Sequence, residues 1–276
     1  MVTRLMGVLV GDLAYLLATK PSKVTLINLR LCYPDLSEQE RKKRCRRHMR
    51  QLAQLLFETP VVWSRPGDWL DKKVVAIHGL ELFQSAVSSG DGLLLLAPHH
   101  GNWEVVGLWA AAHSKITSLY EPPKMVEFDA WVKSSREQSG ATLVPTNVRG
   151  VAALIKALKR GEVSGILPDQ QPPAESGEFA PFFGIQARTM TLIHNLIRKS
   201  ACHALFSSAV RVPGGWELHF LPAETDIYSE NEFTSLAALN RGVEQVVDLA
   251  PDQYQWEYKR FRARPQGDPK IYPPGS

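Results

Sequence analysis

From residue 74 onward, short apolar runs alternate with longer segments in which apolar positions recur every three or four residues. The short runs predict buried strands and the longer segments predict amphipathic helices. Gly90, Gly140 and Gly161 follow three of these segments, where glycine commonly ends a helix. The alternation predicts an α/β fold with a mostly parallel or mixed central sheet covered by helices. The predicted strands are 93–97, 116–120, 141–144 and 163–167, and the predicted helices are 80–89, 103–112, 126–139 and 151–160.

The pattern changes after residue 200. Segments 204–212 and 216–221 flank Pro213-Gly214-Gly215, which predicts a β-hairpin, and a last helix is predicted over 233–249. No internal repeat, low-complexity tract or linker interrupts the chain. We therefore expect a single domain over 1–276, with an α/β catalytic core over 74–250.

The first 65 residues predict a helical segment that precedes the α/β core. Ser37 and Glu40 have the spacing of a capping box, which predicts that a helix begins there. Its apolar stripe runs to about Phe57, and Pro60 is expected to end it. The stripe consists of Met49, Leu52, Leu55 and Leu56.

Residues 1–19 are mostly apolar, but Arg4 and Asp12 interrupt them. The uninterrupted runs are much shorter than the roughly 20 residues that a bilayer crossing needs. No secretory signal pattern is present. The segment predicts either a helix that lies on a membrane surface or an ordinary buried helix, and both interpretations are open.

The formal net charge is only +4, yet the basic residues are concentrated. Seven of the ten residues in 41–50 are lysine or arginine, and Lys259, Arg260, Arg262 and Arg264 form a second group. Such a cluster is typical of a solvated helix face, or of a surface for anionic lipid or an acidic protein. Nothing else in the chain resembles a nucleic-acid-binding module, so we discount nucleic acid.

The three cysteines, Cys32, Cys45 and Cys202, have no disulfide or metal-binding spacing. We expect them to be packing residues in a reducing compartment. The chain also lacks a Gly-x-Ser-x-Gly elbow, a Cys-x-x-Cys pair and a phosphate-binding Walker loop. Covalent nucleophilic catalysis is therefore unsupported, and a direct reaction between two bound substrates is favoured.

The candidate chemistry begins at His99, directly after the apolar run 93–97. Asn102 is expected to cap the next helix, which places Glu104 in its first turn. We predict that Glu104 turns back onto His99 and fixes its tautomer, so that the other ring nitrogen acts as a general base. Ligands gather at the carboxyl ends of strands in open α/β sheets. The residues that follow predicted strand ends are His99, Pro122, Thr146 and Asp169.

A metal site is the alternative interpretation of His99, His100 and Glu104. Their spacing differs from His-Glu-x-x-His, and no third ligand is evident. We therefore expect no metal there and no organic cofactor.

The segment His99-His100-Gly101-Asn102-Trp103-Glu104 resembles the His-x-x-x-x-Glu signature of the glycerolipid acyltransferase superfamily. Its extended form is similar to the late acyltransferases of lipid A biosynthesis, the lauroyl and myristoyl type. Two features differ from that family: Glu121 follows Tyr120 where many members have arginine, and the apolar N-terminal segment is short. Further segments resemble the same family and follow one another in the expected order along the chain. They are 28–34, Arg136 before Gly140, 167–170, 180–184, and 253–254 to 264–265.

The resemblance implies a membrane-associated acyltransferase on the cytoplasmic face of the inner membrane. The donor would be a fatty acyl thioester on acyl carrier protein. The acceptor would be a hydroxyl of a 3-hydroxyacyl chain on a phosphorylated glycolipid precursor of lipid A. The anionic membrane surface and the acidic carrier would both suit the basic residues.

The resemblance also implies roles for residues beyond His99 and Glu104. Arg136 would contact an acceptor phosphate or the developing oxyanion. Asp169, with Gln170, would position Arg136 or the backbone around His99. Phe182, Phe183 and Gly184 would lie near the acceptor or acyl pocket, although they could equally staple a loop. Arg188 and Thr189 are expected near the start of a helix whose N-terminus attracts phosphate.

Three rival functions follow from the same residues. The chain could acylate another lipid acceptor, such as a lysophospholipid, an ornithine lipid or a polyene lipid. It could be a thioester hydrolase in which His99 activates water. It could also be a catalytically silent membrane-binding protein, although the intact His99–Glu104 spacing argues against that.

Overall fold

The computed structural model describes residues 2–65, 67–121 and 126–274. The described residues form a seven-stranded sheet flanked by helices, a separate two-stranded hairpin and an N-terminal helical segment, which confirms the predicted α/β fold. The helices are α1 Val2–Leu16, α2 Lys20–Cys32, α3 Glu38–Trp63, α4 Gly67–Asp71, α5 Leu80–Ser88, α6 Trp103–His113, α7 Val126–Gln138, α8 Val148–Lys159, α9 Leu192–Ser200 and α10 Glu232–Leu249. The strands are β1 Val74–His78, β2 Leu93–Leu96, β3 Ile116–Tyr120, β4 Thr142–Pro145, β5 Val163–Ile166, β6 Gly177–Phe182, β7 Ile185–Met190, β8 His203–Val212 and β9 Gly215–Pro222.

The large sheet has the strand order β1-β9-β8-β2-β5-β3-β4, and its pairs are parallel except for β8 with β9. The four leucines of β2 lie at its centre and are completely buried. Leu94 and Leu96 pack into the core beneath α8, α9 and α10, whereas Leu93 and Leu95 pack beneath α5 and α6. Because β2, β3, β4 and β5 run parallel, their carboxyl ends meet at one edge of the sheet.

The predicted hairpin is confirmed as β8 and β9, which pair from Leu205–Pro222 to Val212–Gly215 around Pro213-Gly214. The three cysteines are buried with free thiols, as predicted. Burial raises the pKa of Cys45 to about 12, which keeps that thiol protonated and unreactive.

Helix α1 is docked by the two charged residues that interrupt its apolar run. Arg4 pairs with Glu58 at 2.5 Å and donates to the carbonyl oxygens of the β8–β9 turn, while Asp12 accepts from Arg46 and Arg50 at 2.6–3.0 Å. Small residues permit the close approach of α1 to α3. A Cβ on Gly7 or Gly11 would lie within 2.7 Å of α3 backbone atoms. The apolar residues of α1 consequently face outward.

Helix α3 continues past Pro60 to Trp63, so the prediction that Pro60 ends it was wrong. The capping box at its start is present as predicted, with reciprocal bonds between Ser37 and Glu40. The last turn is retained because Val62 is buried in the core and the Trp63 indole donates to Glu104. Tertiary contacts therefore outweigh the hydrogen bond that proline cannot make.

The chain after β5 folds into the β6–β7 hairpin, which the sequence pattern did not predict. Phe183 and Gly184 form its turn with φ angles of 49° and 73°. Positive φ at both central residues is typical of a type I′ turn. Arg188 and Thr189 belong to β7, and helix α9 begins three residues after Thr189, at Leu192, so both lie near the start of a helix as predicted but are not part of its first turn.

Candidate active site

The loop that carries His99 is fixed to the C-terminal segment of the chain. Gly101 donates to Gln253 O at 3.0 Å, and Gln255 donates to His99 O at 3.0 Å. A side chain on Gly101, which has a φ of 61°, would lie 2.0 Å from Ala209 O. Only glycine fits this approach. The backbone around His99 is therefore rigidly placed.

The carboxylate bound to His99 belongs to Asp169. Nδ1 of His99 lies 2.8 Å from Asp169 Oδ1, and the His99 backbone N–H donates to Asp169 Oδ2 at 3.0 Å. Asp169 is 2% exposed, whereas the His99 side chain retains 13% of its exposure. Asp169 therefore contacts both the ring and the backbone of His99. A carboxylate on Nδ1 leaves Nε2 as the basic nitrogen.

Glu104 lies in the first turn of α6, as predicted, but it points away from His99. Its two oxygens accept from Arg136 at 2.6 and 3.1 Å, and one of them also accepts from Trp63 Nε1 at 2.9 Å. The prediction that Glu104 fixes the tautomer of His99 was therefore wrong. A buried carboxylate needs charged or polar partners. Trp63 of α3 and Arg136 of α7 are these partners for Glu104.

The electrostatics favour an ionised Asp169. Burial alone would raise its pKa, but the charge and hydrogen bonds of His99 hold the pKa of this carboxyl below its usual value. Burial and the adjacent Asp169 raise the pKa of Tyr254 well above its usual value, which keeps the phenol neutral. Asp169 therefore carries the negative charge that an imidazolium at His99 would need.

Gln170 lies at the basic nitrogen of His99. Its Nε2 is 3.2 Å from His99 Nε2 and donates to Gln255 Oε1 at 2.9 Å. The amide N–H therefore points at the lone pair that would receive a substrate proton. A substrate hydroxyl at this position would replace Gln170 as the donor to His99.

His100 is a structural residue. It is fully buried, its Nδ1 lies 2.7 Å from Ser208 Oγ, and its Nε2 lies 2.9 Å from Ala250 O. Burial lowers the pKa of His100 to about 4. Both ring nitrogens thus have partners away from His99 and Glu104, and the three residues do not converge on one point.

Trp103 lines two cavities. The centroid of its ring lies 4.7 Å from that of His99. The first contains His99, Trp103 and Gly101 together with residues of α3, including Leu52 and Leu55. The second extends between α6 and strands β2, β3 and β5. Its lining is mostly apolar, with the Glu104–Arg136 pair as its charged members. Trp103 therefore lines both spaces, and His99 lines the first of them.

Phe182 and Phe183 lie behind the site. Phe182 is buried in the core, with its ring 6.2 Å from that of Tyr254. Phe183 packs between Tyr33 and Trp256 at 5.4 and 5.8 Å, next to Gly184 in the hairpin turn. Both rings therefore pack against the C-terminal segment, and that of Phe183 also packs against Tyr33. The Phe182 ring contacts Tyr254, and the backbone of Tyr254 forms an isolated β-bridge with that of His100.

Arg188 and Thr189 are occupied in holding the C-terminal segment. Thr189 is completely buried and accepts from Asn240 at 2.8 Å and from Arg260 at 3.1 Å. The backbone carbonyl of Arg188 also accepts from Arg260 at 2.6 Å. The guanidinium of Arg188 lies over the Phe179 ring. Neither residue contacts His99 or the two cavities that Trp103 lines.

The ends of β3 and β4 are joined by a hydrogen bond from the Thr146 hydroxyl to the Glu121 carboxylate. Both residues are exposed at the edge of the sheet from which His99 and Asp169 extend. Pro122, which we expected at this edge, lies outside the described residues.

The site includes residues that sequence reasoning did not single out. Tyr254, Gln255 and Trp63 supply contacts to Asp169, Gln170 and Glu104. His48 lies beside the His99 cavity, buried between Asp252 O and Glu257. The Gln253-Tyr254 match was a usable signal for the C-terminal segment, whereas nothing in the basic run distinguished His48.

The arginines of the basic run 41–50 have partners within the structure. Arg46 and Arg50 bind Asp12, Arg44 and Arg47 face Asp252, and Arg41 donates to the carbonyls of residues 33 and 34. Lys42 and Lys43 are exposed. Much of the positive charge read from the sequence therefore holds helices together.

Comparison with known proteins identifies the family. A model of the bacterial lipid A biosynthesis acyltransferases matches residues 2–263. The chain belongs to this family. It is 30% identical over 274 residues to the lipid A biosynthesis lauroyltransferase of Escherichia coli K12, covering 97% of this chain and 87% of that protein. The palmitoleoyltransferase of the same organism is 28% identical over 276 residues, with the same coverages. The myristoyltransferase is 26% identical over 277 residues, covering 95% of this chain and 81% of that protein.

Membership of the lipid A acyltransferase family confirms the resemblance found in the sequence. It supports an acyltransferase activity for the whole span from α1 to the C-terminal segment.

Proposed function

We propose that this protein transfers a fatty acyl chain from acyl carrier protein to a hydroxyl of a lipid A precursor, with His99 as general base. The observation that carries the proposal is the placement of His99. Its Nδ1 is bound to buried Asp169, and its ring packs on Trp103, which also lines the mostly apolar cavity between α6 and the sheet. A base beside an apolar space suits a hydroxyl attacking a fatty acyl thioester.

The reaction needs two proton transfers. Nε2 of His99 takes the proton of the acceptor hydroxyl as its oxygen attacks the thioester carbonyl carbon. The tetrahedral intermediate then expels the carrier thiolate as the C–S bond breaks, and the His99 imidazolium protonates the sulfur. Asp169 fixes the tautomer and stabilises the imidazolium between the two transfers. The products are an ester and the free thiol of the carrier.

Glu104 and Arg136 act as a positioning pair. Their bidentate bond ties α6 to α7 beside the apolar cavity. The Arg136 side chain is 26% exposed, so its guanidinium can also meet a phosphate of the acceptor or the developing oxyanion. We infer that Glu104 serves the reaction through Arg136 and Trp63, and that Asp169 is the residue that acts on His99.

The acyl chain is proposed to occupy the apolar cavity between α6 and the sheet. Its lining includes Leu95, Ile116 and Leu167, with no side chain at Gly107 and Gly165. A chain placed there would have its thioester carbon near Trp103 and His99. Burial of each methylene stabilises the complex by about 0.8 kcal/mol, so the length of the space governs the preferred acyl length.

The apolar surface of α1 is proposed to hold the protein on the cytoplasmic face of the inner membrane. Leu5, Leu9, Leu13 and Leu16 are each more than half exposed. Within the described ranges, no helix combines the length and hydropathy needed to cross a bilayer. A helix with one face docked and the other apolar is suited to lie in the lipid headgroup region.

The test is a reconstituted reaction that separates transfer from hydrolysis. Purified protein is given acyl-loaded carrier, with and without a hydroxylated lipid A precursor, and both the acylated product and free fatty acid are measured. We expect product only with acceptor and little free acid without it. His99→Ala should lower transfer by about 10²–10⁴-fold. His203→Ala, at an exposed histidine remote from the described site contacts, serves as the control.

Release of free fatty acid at the same rate with or without acceptor would favour the thioester hydrolase. Transfer to a lysophospholipid or an ornithine lipid but not to the lipid A precursor would replace the acceptor and leave the mechanism intact. Normal transfer by a folded His99→Ala variant would refute the mechanism.

A further inference from the structure

The outer edge of the large sheet carries a histidine–histidine–glutamate cluster that has no part in acyl transfer. β1 is the edge strand and pairs in parallel with β9, which places His78 directly opposite His219. Glu217 is two residues before His219 and therefore lies on the same face of β9. The three side chains meet although β1 and β9 are far apart in sequence.

The donor atoms have the spacing of a metal site. His78 Nε2 lies 3.5 Å from Glu217 Oε2, and His219 Nε2 lies 3.7 Å from the same oxygen. One ligand atom from each residue falls within 4.8 Å of the other two. Tetrahedral zinc with bonds of about 2.0–2.2 Å separates its ligands by roughly 3.3–3.5 Å. The ligand atoms lie at most 4.8 Å apart, and closing these gaps would bring the carboxylate and both imidazoles onto one ion.

The cluster is open to solvent on one side. The His78 side chain is 54% exposed and that of His219 is 15% exposed. Their rings stack at 4.4 Å with an interplanar angle of 20°. Two imidazoles and one carboxylate suit zinc or a neighbouring divalent transition metal, whereas calcium and magnesium prefer oxygen ligands.

We propose that His78, Glu217 and His219 bind one zinc ion, with a fourth position open to water. The ion would join the edge strand β1 to β9 and stabilise this edge of the sheet. The inference is independent of the acyl transfer reaction, because none of the three residues lines the cavities at Trp103.

The experiment is a titration of the full-length, metal-free protein with Zn²⁺ in competition with a chromophoric chelator. We expect one equivalent of bound zinc, and a rise in thermal midpoint on adding Zn²⁺. His78→Gln and Glu217→Gln should each weaken zinc binding at least tenfold and remove the thermal shift. Cobalt substitution should give the visible absorption of a tetrahedral ion.

The matched control is His203→Gln. His203 is an exposed histidine 3.4 Å from Asp91, so it offers a histidine–carboxylate pair without a third ligand. Zinc binding should be unchanged in this variant. Because His78 is largely exposed, its variant is expected to fold, and circular dichroism verifies this. Less than one equivalent of zinc in the natural protein would overturn the proposal, as would equal binding by the His78 and His203 variants.

Discussion

At the scale of single residues, the arrangement of the candidate site depends on which carboxylate binds His99. The sequence identified Glu104 as a candidate through its spacing from His99 and its place in the first helical turn, and Asp169 because it follows a predicted strand end. It paired His99 with the nearer one. Asp169 is 70 positions away, and it reaches His99 only because β2 and β5 are neighbours in the parallel sheet. Sequence spacing cannot reveal that neighbour relation, and it cannot reveal that Arg136 and Trp63 occupy Glu104.

Asp169→Asn is predicted to lower acyl transfer more than Glu104→Gln. An asparagine cannot supply the charge that stabilises the His99 imidazolium, so transfer should fall by about 10²–10⁴-fold. Glutamine at 104 keeps an oxygen for Trp63 and loses only the ion pair with Arg136, so the loss should be smaller. Initial rates at saturating carrier and acceptor measure the difference.

The control for both variants is thermal unfolding, because Asp169 and Glu104 are both buried. If Glu104→Gln lost more transfer than Asp169→Asn at equal stability, Glu104 rather than Asp169 would be the partner of His99 during the reaction.

At the scale of elements, the strands with strong apolar runs were predictable, and so was the β8–β9 hairpin with its Pro-Gly-Gly turn. The β6–β7 hairpin was not, because its strands mix charged and apolar residues and its turn uses Phe183 at positive φ. The end of α3 was misplaced because the contacts of Val62 and Trp63 override Pro60. Elements held by distant contacts were the ones that local patterns missed.

Gly107→Leu is predicted to shorten the preferred acyl chain. Gly107 lies on α6 at the apolar cavity, and a Cβ there would meet no atom within 4 Å. Leucine also favours a helix over glycine by roughly 0.5–1 kcal/mol, so the fold should tolerate it. A leucine side chain would fill part of the proposed acyl space. Competition between carriers loaded with short and long chains measures the change.

Gly107→Ala is the matched control, because it adds one methyl group and should change chain preference only slightly. An unchanged preference in the leucine variant, with normal stability, would place the acyl chain elsewhere.

At the scale of the whole molecule, α3 connects the outer surface to the catalytic site. One face of α3 holds α1 through Glu58 and Arg50, and another lines the His99 cavity with Leu52 and Leu55. Helix α3 therefore lies between the exposed leucines of α1 and that cavity. A lipid acceptor held in a bilayer beneath α1 would pass α3 to reach His99.

Membrane binding is predicted to depend on the leucines of α1 more than on the basic run. Asp12 and Asp252 each pair with two arginines in 41–50 and together offset two of their four charges, which leaves part of the arginine charge together with exposed Lys42 and Lys43. Each lysine should contribute about 1 kcal/mol at an anionic surface and lose it in high salt. Binding to anionic vesicles should therefore persist in part at high salt, and flotation measures it.

The decisive variant replaces Leu5, Leu9 and Leu13 with glutamine. These side chains are 56–64% exposed and face away from α3, so the change should remove the apolar contact with lipid while α1 stays docked through Arg4 and Asp12. Flotation should fall far more than in a control with Val148 and Phe233 replaced, which are exposed apolar residues on α8 and α10. The alternative is that charge alone holds the protein on the membrane. In that case the leucine variant would still float, and high salt or replacement of Lys42 and Lys43 would abolish binding.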